Sequence, residues 1–329
     1  MKTNCETKDI TVGVVGLGLM GTSFIATLLM AGHKVVAIAP LPEDLIVAPG
    51  RIYNHLVQCE KSGLLSIPPS NYLSQLAITE DYLLLYSCQL VVECVIEKSE
   101  IKRLVYEKIE KTVNKTTVIA TNTSAIPITV LQKYLVEPDR FLGIHWAEPS
   151  YFTRFLEITC GANTAEIYSN WVYELSYSWD KEPTLLRKDI RGFVTNRLMY
   201  AVYREGLSLV KNGQATLEDI DKSFRYDVGS WITLMGIFRR MDYLGLENFA
   251  LIFEALFPHL SNNQEVPDLM EKMVDINAKG IKNLSGLYTY TSEESLKWEE
   301  AFAAFNEEIF KLAASYPVEK GVENVTIKS

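Results

Sequence analysis

A glycine-rich turn near the start of the chain constrains the fold more strongly than any other feature. The segment VGVVGLGLMG carries Gly16, Gly18 and Gly21 in a G-x-G-x-x-G pattern, between a β-branched run and an apolar helical run. In this context Gly16 permits a tight turn, Gly18 lets the backbone approach a pyrophosphate, and Gly21 lets the helix pack closely against the strand. The first N–H groups of the helix and its positive dipole end attract phosphate. The turn therefore predicts a dinucleotide-binding β-α-β unit.

Further apolar runs follow in the first half of the chain, and helical patterns separate them. The runs are HKVVAI, LVVECV, TTVIAT, RFLGIH and RFLEIT, and continuous apolar runs of this kind are typical of parallel strands covered on both faces. Between two of them, EIKRLVYEKIEK places Ile101, Leu104, Val105 and Ile109 on one helical stripe. This alternation predicts an α/β fold with an N-terminal Rossmann doubly wound sheet.

The sequence texture changes near residue 189, where β-branched runs become rare and helical patterns take over. The segment NRLMYAVYREGLSLVKNG is one such pattern, and Gly213 is the predicted cap at its C-terminal end. A chain of 329 residues is long for a single core, so we predict two domains. They are a Rossmann domain of residues 1–188 and an all-helical domain of residues 189–329, with the polar residues 320–329 as a loose tail.

Composition excludes several classes of protein. Hydrophobic residues make up 48% of the chain, and no apolar run is long enough to cross a bilayer. The N-terminus MKTNCETKDI is polar and shows no apolar signal core, so we expect a cytoplasmic protein with no membrane partner. The net charge of -9 argues against nucleic acid as a partner, because phosphate binding needs a basic face. It leaves open an anionic small molecule held by a few local cations.

The cysteines do not form a recognisable pattern. Their odd number and the lack of a close C-x-x-C or Cys/His pair argue against a disulfide framework and a zinc site, so no metal is predicted. Two of them, Cys94 and Cys160, fall in or beside strand-like runs, where a thiol usually acts as a small core residue. The full set is Cys5, Cys59, Cys88, Cys94 and Cys160.

The end of the second predicted strand bears on the choice of cofactor. A strand at this place in a Rossmann fold usually ends in Asp or Glu, which holds the ribose 2′-hydroxyl of NAD. The position falls at Ala39 here. Glu43 and Asp44 follow and could reach back, their charge would repel a 2′-phosphate, and no Arg or Lys stands near in the sequence. We therefore predict NAD as the cofactor, with weakened discrimination against NADP.

Four polar side chains stand where predicted elements begin or end. Ser124, in TNTSAIPIT, follows one strand at the edge where sites form in open α/β sheets, and His145 ends the next strand. Glu157 lies twelve residues after His145 in an otherwise apolar run, and Asn196 lies in GFVTNRL at the start of the helical half. Each alone has an ordinary interpretation as a cap or a core residue. Together they favour a base, His145, with an orienting acid, Glu157, over two unrelated residues near a surface.

Read in order, these segments resemble the 3-hydroxyacyl-CoA dehydrogenase family, within the 6-phosphogluconate dehydrogenase C-terminal-like superfamily. After the glycine turn, that family shows VVEAxxE, NTSS, GxHFFNPxxxMKLVEV and GFxxNR. The corresponding segments here are VVECVIE, NTSA, GIHWAEPSYFTRFLEI and GFVTNR. Later, LMGIFRRMDYLGL is similar to the family's PMGPFELLDxxGL. The resemblance covers roughly Thr11 to Gly245.

The resemblance implies a role for each of the four polar residues. His145 corresponds to the catalytic base, and Glu157 to the carboxylate that orients the imidazole and stabilises the imidazolium. Ser124 and Asn196 correspond to polar residues that hydrogen-bond the reacting oxygen. For Glu97 and Lys102 a solvated ion pair at a helix start is the alternative to a cofactor-adjacent pair. The implied cofactor contacts are Gly16, Gly18, Leu19, Met20, Gly21, Glu97, Lys102 and Asn122.

The chain departs from the family pattern at residues that bear on the substrate. The family's HFFNP is HWAEP here, so that Glu148 replaces an amide and could either stabilise the charged form of His145 or contact a polar substrate. Arg154 corresponds to a family lysine and is a candidate anion contact, with a surface role as the alternative. Lys61 lies in CEKSGLL, which resembles the family's CoA-contacting region but carries fewer basic residues.

These observations predict an NAD-dependent oxidoreductase that interconverts an L-3-hydroxyacyl-CoA and its 3-ketoacyl-CoA, with a place in fatty acid metabolism. The helical domain is expected to close the cleft and to form a homodimer, as the resemblance implies. One alternative is a dehydrogenase of a CoA-free polar 3-hydroxy acid or sugar acid, similar to gulonate or carnitine dehydrogenases. Another is a non-catalytic, crystallin-like protein that has kept the fold.

Overall fold

The computed structural model describes residues 7–316, apart from the side chain of Glu299. Cys5 and the predicted tail, residues 320–329, lie outside the described residues. The chain divides into two compact units, the first ending at Asn196 and the second beginning at Arg197.

The first unit is built on one eight-stranded sheet in the order β3-β2-β1-β4-β5-β6-β7-β8. The strands are β1 (Thr11–Val15), β2 (Lys34–Ile38), β3 (Leu76–Thr79), β4 (Leu90–Glu93), β5 (Val118–Thr121), β6 (Phe141–Trp146), β7 (Phe155–Cys160) and β8 (Glu182–Leu186). The helices are α1 (Leu19–Met30), α2 (Pro42–Lys61), α3 (Pro69–Tyr72), α4 (Ser99–Thr112), α5 (Ile128–Leu131) and α6 (Glu166–Ser176). Together with the helices that follow, this architecture confirms the predicted α/β fold.

Apolar side chains cover both faces of the sheet. Helices α1, α2 and α6 contribute to a core on one face, and α4 and α5 contribute to a core on the other. Such two-sided burial explains why the central strands read as continuous apolar runs. The strands missing from the prediction, β3 and β8, lie at the two edges of the sheet, where all but one of their side chains are exposed or only partly buried.

The direction of β7 differs from the prediction. The apolar run RFLEIT was expected to form a parallel strand, and that expectation is wrong, because β7 pairs with β6 in the antiparallel sense. The turn between the two strands is short, whereas a parallel pairing needs a crossover connection of about a dozen residues or more. Strand β8 pairs parallel to β7, so these two strands run opposite to the other six.

Helix α4 buries a different stripe from the predicted one. Val105 and Ile109 are buried as expected, whereas Ile101 and Leu104 are exposed. Lys102 is buried in their place, together with a tyrosine on the same stripe. A charged residue can occupy this face because its ammonium group meets carboxylates beneath the helix.

Residues 189–196 belong to the first unit, so the unit ends later than the predicted boundary at residue 188. The carboxylate of Asp189 accepts hydrogen bonds from the backbone and hydroxyl of Thr129, at 2.6 and 2.8 Å. The ring of Phe193 is buried in the core beside α4. These contacts tie the segment to the sheet although its sequence already has a helical pattern.

The second unit is helical. It contains α7 (Phe193–Lys211, with its first residues in the first unit), α8 (Leu217–Ser223), α9 (Gly229–Leu244, kinked at Gly236), α10 (Leu246–Leu256), α11 (Asp268–Asp275) and α12 (Ser292–Ser315). The predicted cap after α7 is confirmed, because Gly213 has a φ of 68° and donates its N–H to Val210. None of the helices in the described range is both long and apolar enough to span a bilayer.

Candidate active site

The structure brings His145 and Glu157 together. They lie directly opposite each other on the antiparallel pair β6 and β7, and Nδ1 of His145 is 3.4 Å from Oε2 of Glu157. The carboxylate is buried and the imidazole is partly exposed, at 1% and 14% of their side-chain surfaces. With a proton on Nδ1 shared with the carboxylate, Nε2 is the ring nitrogen that can accept a proton.

The segment that begins α7 links this pair to the other two predicted residues. The backbone N–H of Val194 donates to Oε1 of Glu157 at 2.8 Å. Two residues later, the side-chain amide of Asn196 donates to the carbonyl oxygen of Ser124 at 3.2 Å. The rings of Phe193 and Phe155 lie 5.8 and 5.6 Å from the imidazole. One segment therefore connects Glu157 with the turn that carries Ser124, and its phenylalanine ring packs near the imidazole.

A buried carboxylate that the sequence analysis did not identify, Glu93, lies at the end of β4. It accepts hydrogen bonds from the ammonium of Lys102 at 2.9 and 3.0 Å and from the hydroxyl groups of Tyr106 and Thr121 at 2.9 and 2.8 Å. Burial and the charge of Glu93 raise the pKa of Tyr106 well above its usual range, so the phenol stays a donor. A charged residue that closes an otherwise apolar strand is the signal that could have revealed Glu93.

Glu97 lies between this buried group and the Ser124 turn. Lys102 is 3.3 Å from Oε2 of Glu97, and Oε1 accepts the N–H of Ser124 at 3.1 Å and a short hydrogen bond from the hydroxyl of Thr123. Burial raises the pKa of Glu97, but the Thr123 hydrogen bond and the Lys102 charge outweigh it and hold this pKa below its ordinary value. Lys102 is therefore not a solvated partner of Glu97, and its ammonium is enclosed between two carboxylates.

Asn122 is positioned by backbone groups of both neighbouring strands. Its N–H donates to the carbonyl oxygen of Glu93 at 2.8 Å, and its side-chain oxygen accepts the N–H of Trp146 at 3.4 Å. The residue thereby connects the end of β4 to the end of β6, immediately after His145.

The glycine turn fits a dinucleotide. Gly16 has a φ of +102°, and a Cβ there would lie 2.9 Å from the backbone of Cys94. A Cβ at Gly21 would lie 1.9 Å from the carbonyl oxygen of Gly16, so only glycine allows α1 to approach the strand. Around Gly18 there is open space, and no side chain caps the start of α1. Leu19 is exposed there, and the free N–H groups of this first turn can bind phosphate.

The neighbourhood of Ala39 is more basic than the sequence analysis expected. Ala39 is buried at the end of β2, and Glu43 and Asp44 lie in the first turn of α2. A cavity of about 420 Å³ adjoins this strand end. The residues that line it are Ala39, Pro40, Pro42, Glu80, Tyr82, Lys108, Lys111 and Thr112. Two lysines from α4, remote in sequence, therefore stand beside the position that lacks the ribose-binding acid.

The predicted substrate residues lie at three places on the first unit. Glu148 is exposed in the turn after β6, and burial of part of its carboxyl raises its pKa. Lys61 is exposed at the C-terminal end of α2, and Arg154 is partly buried just before β7. Within the described residues, no hydrogen bond or ion pair joins Glu148 or Lys61 to His145.

A buried cation holds the turn that carries Glu148. The ammonium of Lys181 donates short hydrogen bonds to the carbonyl oxygens of Ser150 and Thr153 and lies 5.4 Å from the centre of the Trp146 ring. Burial lowers the pKa of Lys181 to about 7. Donation to two carbonyl oxygens offsets part of the cost of burying this charge.

Comparison with known proteins identifies the family. Residues 11–190 match the family model of the 3-hydroxyacyl-CoA dehydrogenase NAD binding domain, and residues 192–290 match that of its C-terminal domain. The chain belongs to the 3-hydroxyacyl-CoA dehydrogenase family. As a member of this family it is an NAD-dependent oxidoreductase that acts on CH–OH groups, and the prediction of NAD as cofactor is confirmed.

Relatives within the 3-hydroxyacyl-CoA dehydrogenase family differ in their substrates. The chain is 31% identical over 285 residues to 5-formyl-3-hydroxy-2-methylpyridine 4-carboxylate 5-dehydrogenase of Mesorhizobium japonicum, covering 86% of this chain and 92% of that enzyme. It is 30% identical to a probable 3-hydroxybutyryl-CoA dehydrogenase of Deinococcus radiodurans, covering 84% and 99%. It is 29% identical to L-carnitine dehydrogenase of Oceanobacillus iheyensis, covering 92% and 96%.

A solved structure in the same family resembles this chain over almost its full length. It is the crystal structure of a 5-formyl-3-hydroxy-2-methylpyridine 4-carboxylic acid 5-dehydrogenase, described as an NAD+ dependent dismutase. The TM-score is 0.85 at 28% sequence identity, with 93% of this chain and 99% of that chain covered. Membership of the dehydrogenase family is therefore supported by both sequence and structure, whereas the substrate differs among the relatives.

Proposed function

We propose that the enzyme oxidises a secondary alcohol with His145 as the general base. Nε2 of His145 takes the hydroxyl proton, while Glu157 orients the ring through Nδ1 and stabilises the imidazolium. The hydroxyl of Ser124 and the amide of Asn196 hydrogen-bond the reacting oxygen as the carbonyl forms. Bound NAD supplies the acceptor for the hydride that leaves the carbinol carbon. The contact between His145 and Glu157, at 3.4 Å, is the observation that carries the proposal.

For the substrate, we propose a small CoA-free molecule in place of an acyl-CoA. CoA carries several phosphate charges, and tight recognition of phosphate normally uses arginine and lysine side chains. Between residues 55 and 75 the charged residues are one acid and one base, Glu60 and Lys61, which offers little to CoA. Two of the three relatives described above are dehydrogenases of substrates named without CoA.

The turn after β6 indicates what such a substrate carries. The exposed carboxyl of Glu148, three residues after His145, favours a cationic group or a hydrogen-bond donor over a second anion. We therefore expect a small hydroxy acid that also carries a nitrogen cation or additional hydroxyl groups.

A substrate panel tests this proposal. Oxidation or formation of NADH would be followed with acetoacetyl-CoA, L-carnitine and 5-formyl-3-hydroxy-2-methylpyridine 4-carboxylate. We expect turnover with a CoA-free compound and little with acetoacetyl-CoA, and Glu148→Gln should raise KM more than it lowers kcat. Efficient reduction of acetoacetyl-CoA, unaffected by Glu148→Gln, would restore the acyl-CoA hypothesis.

We also propose that a second copy of the chain covers the helical unit. In the described part of this unit, Phe310 is the only buried side chain. Large apolar side chains such as Tyr200, Leu251 and Phe302 are at least 60% exposed. Burial on this scale cannot offset the conformational entropy of ordering the helices, so the exposed faces need a partner. A second copy of the chain has the same exposed apolar faces, and a two-fold axis would bring the two sets of faces into contact.

Sedimentation equilibrium tests this assembly. We expect a dimer that Phe302→Glu dissociates, with loss of helical signal from the uncovered unit. Ile46→Glu is the matched control, because Ile46 is also exposed but lies on α2 of the first unit. A wild-type monomer with a cooperatively folded helical unit would contradict the proposal. A cytoplasmic location and a role in fatty acid metabolism stay predictions.

A further inference from the structure

We propose that the buried ion pair of Glu93 and Lys102 is a positioning device that acts through Glu97 on the turn carrying Ser124. The inference rests on the proposed role of Ser124 at the reacting oxygen. It assigns to Glu93 a part in the reaction although its side chain is fully buried.

The first step concerns the fixation of Glu93. Its carboxylate accepts hydrogen bonds from Lys102, Tyr106 and Thr121, and the backbone N–H of Val95 donates to it at 2.6 Å. These donors lie on α4, on β5 and in the loop that follows β4. A buried carboxylate with its acceptor sites filled in this way has one available orientation. The lysine that it pairs with is fixed in turn.

The second step concerns the cost of the pair. Both side chains are fully buried, at 0% exposure. A buried ion pair is often no more stabilising than apolar side chains of the same volume. Stability therefore does not explain why charges occupy this place. Lys102 has a second partner, Oε2 of Glu97 at 3.3 Å, and that carboxylate is 39% exposed. The pair thus presents a fixed ammonium to a carboxylate that is partly exposed to solvent.

The third step leads from Glu97 to the Ser124 turn. Oε1 of Glu97 binds the N–H of Ser124 and the hydroxyl of Thr123, and the Thr123 hydroxyl in turn accepts the N–H of Ile126 at 3.0 Å. On the opposite side, the carbonyl oxygen of Ser124 accepts the amide of Asn196. The turn is therefore held at both backbone polar groups of Ser124, the N–H and the carbonyl oxygen. Its position depends on Glu97, and the orientation of Glu97 depends on Lys102.

A double substitution separates positioning from mere stability. Glu93→Gln alone leaves Lys102 buried without its main partner and is expected to destabilise the fold strongly. Glu93→Gln combined with Lys102→Met removes both charges, so the thermal midpoint should return close to the wild-type value. Tyr106→Phe is the matched control, because it removes one hydrogen bond to Glu93 and leaves the path from Lys102 to Glu97 intact.

Amide hydrogen exchange provides a readout that does not depend on the substrate. In the double variant we expect exchange in the peptide 121–128 to become about tenfold faster or more, because the Ser124 N–H loses a fixed acceptor. Exchange in residues 11–38, which form β1, α1 and β2, should not change. With a substrate from the panel, kcat should fall at least tenfold while KM changes little.

Three results would overturn the inference. One is a stable double variant with wild-type exchange at residues 121–128. Another is a stable double variant that retains full kcat despite faster exchange. The third is a rise of tenfold or more in the NADH dissociation constant with unchanged kcat, which would make Lys102 a cofactor contact. Absence of turnover with every compound in the panel, in wild type and variant alike, would count against the proposed function and leave the exchange result valid.

Discussion

His145 and Glu157 are cross-strand partners in an antiparallel pair, and their contact is a direct result of that register. Side chains opposite each other on one face of such a pair have Cβ atoms about 5 Å apart, which suits an imidazole and a carboxylate. Two neighbouring strands therefore hold the imidazole and the carboxylate in contact.

Removal of the imidazole is the first test of the catalytic assignment. We expect His145→Ala to lower kcat by about two to four orders of magnitude, the usual contribution of a general base, with an unchanged NADH dissociation constant. Steady-state kinetics and NADH fluorescence measure the two quantities. His259→Ala is the matched control, since that histidine is exposed in the helical unit. A variant as active as wild type would exclude His145 from the mechanism.

Removing the charge of Glu157 should lower kcat more than it weakens the binding of NADH. Glu157→Gln keeps an acceptor for the N–H of Val194 but removes the charge that stabilises the imidazolium, so kcat should fall by roughly one to two orders of magnitude. The NADH dissociation constant should stay within about twofold. Normal turnover with a much weaker NADH complex would assign Glu157 to cofactor binding instead.

Cofactor discrimination should respond to the residue that ends β2. Ala39→Asp supplies the carboxylate that can bind a ribose 2′-hydroxyl and repel a 2′-phosphate, so we expect the ratio of NADPH to NADH dissociation constants to rise at least tenfold. In the wild type, Lys108 and Lys111 line the adjoining cavity and should keep that ratio small. Lys108→Ala should raise it by weakening NADPH alone. A wild-type enzyme that prefers NADPH tenfold or more, about 1.4 kcal/mol, would contradict the assignment of NAD.

Stability should depend on pH through Lys181. Its pKa is about 7 in the folded protein and has an ordinary value of 10.5, so between these values the unfolded chain binds a proton that the folded chain does not. The free energy of unfolding must therefore rise with pH in that window, by roughly 1.4 kcal/mol per pH unit at most, and flatten below pH 7.

Lys181→Met gives the reference for this measurement, because it keeps the length of the side chain without its charge. Urea unfolding of both proteins at pH 6, 7, 8 and 9 should show the difference between them shifting in favour of the wild type as pH rises. Asp180, Arg154 and Cys59 are the charged or titratable groups that act on Lys181, and they are common to both proteins. Parallel curves would show that Lys181 does not titrate in this range.

Features encoded by local patterns could be predicted from the sequence. The glycine turn was recognisable because its glycines are required by close neighbours. These neighbours are residues a few positions away in the chain, or the strand end that lies beside the turn in this fold. The spacing of His145 and Glu157 likewise reflects a short turn between paired strands. The edge strand β8, EPTLL, lacks the apolar continuity of buried strands, and β3, LAIT, is only four residues long, so their signals were weak.

Features that depend on distant residues could not be predicted. The stripe of α4 was assigned by hydrophobicity, and that rule excluded Lys102, since its burial depends on Glu93 in another element. The lysines beside Ala39 come from α4, far along the chain. Hydrophobic periodicity predicts which face of a helix or strand is buried. It does not predict which polar side chains form ion pairs on that face.

The turn from residue 147 to 154 has a consequence for how enzymes of this shape can diversify. Substitutions there, such as the exchange of an amide for Glu148, alter what faces an incoming molecule while leaving the paired strands untouched. Loss or gain of a single residue that shifted the pairing of β7 would instead turn Glu157 to the opposite face of the sheet. Exposed positions of this loop such as Glu148 can therefore vary, whereas its length and its buried residues Ser150, Tyr151 and Phe152 are constrained, and new substrate preferences should arise here by exchange and not by insertion.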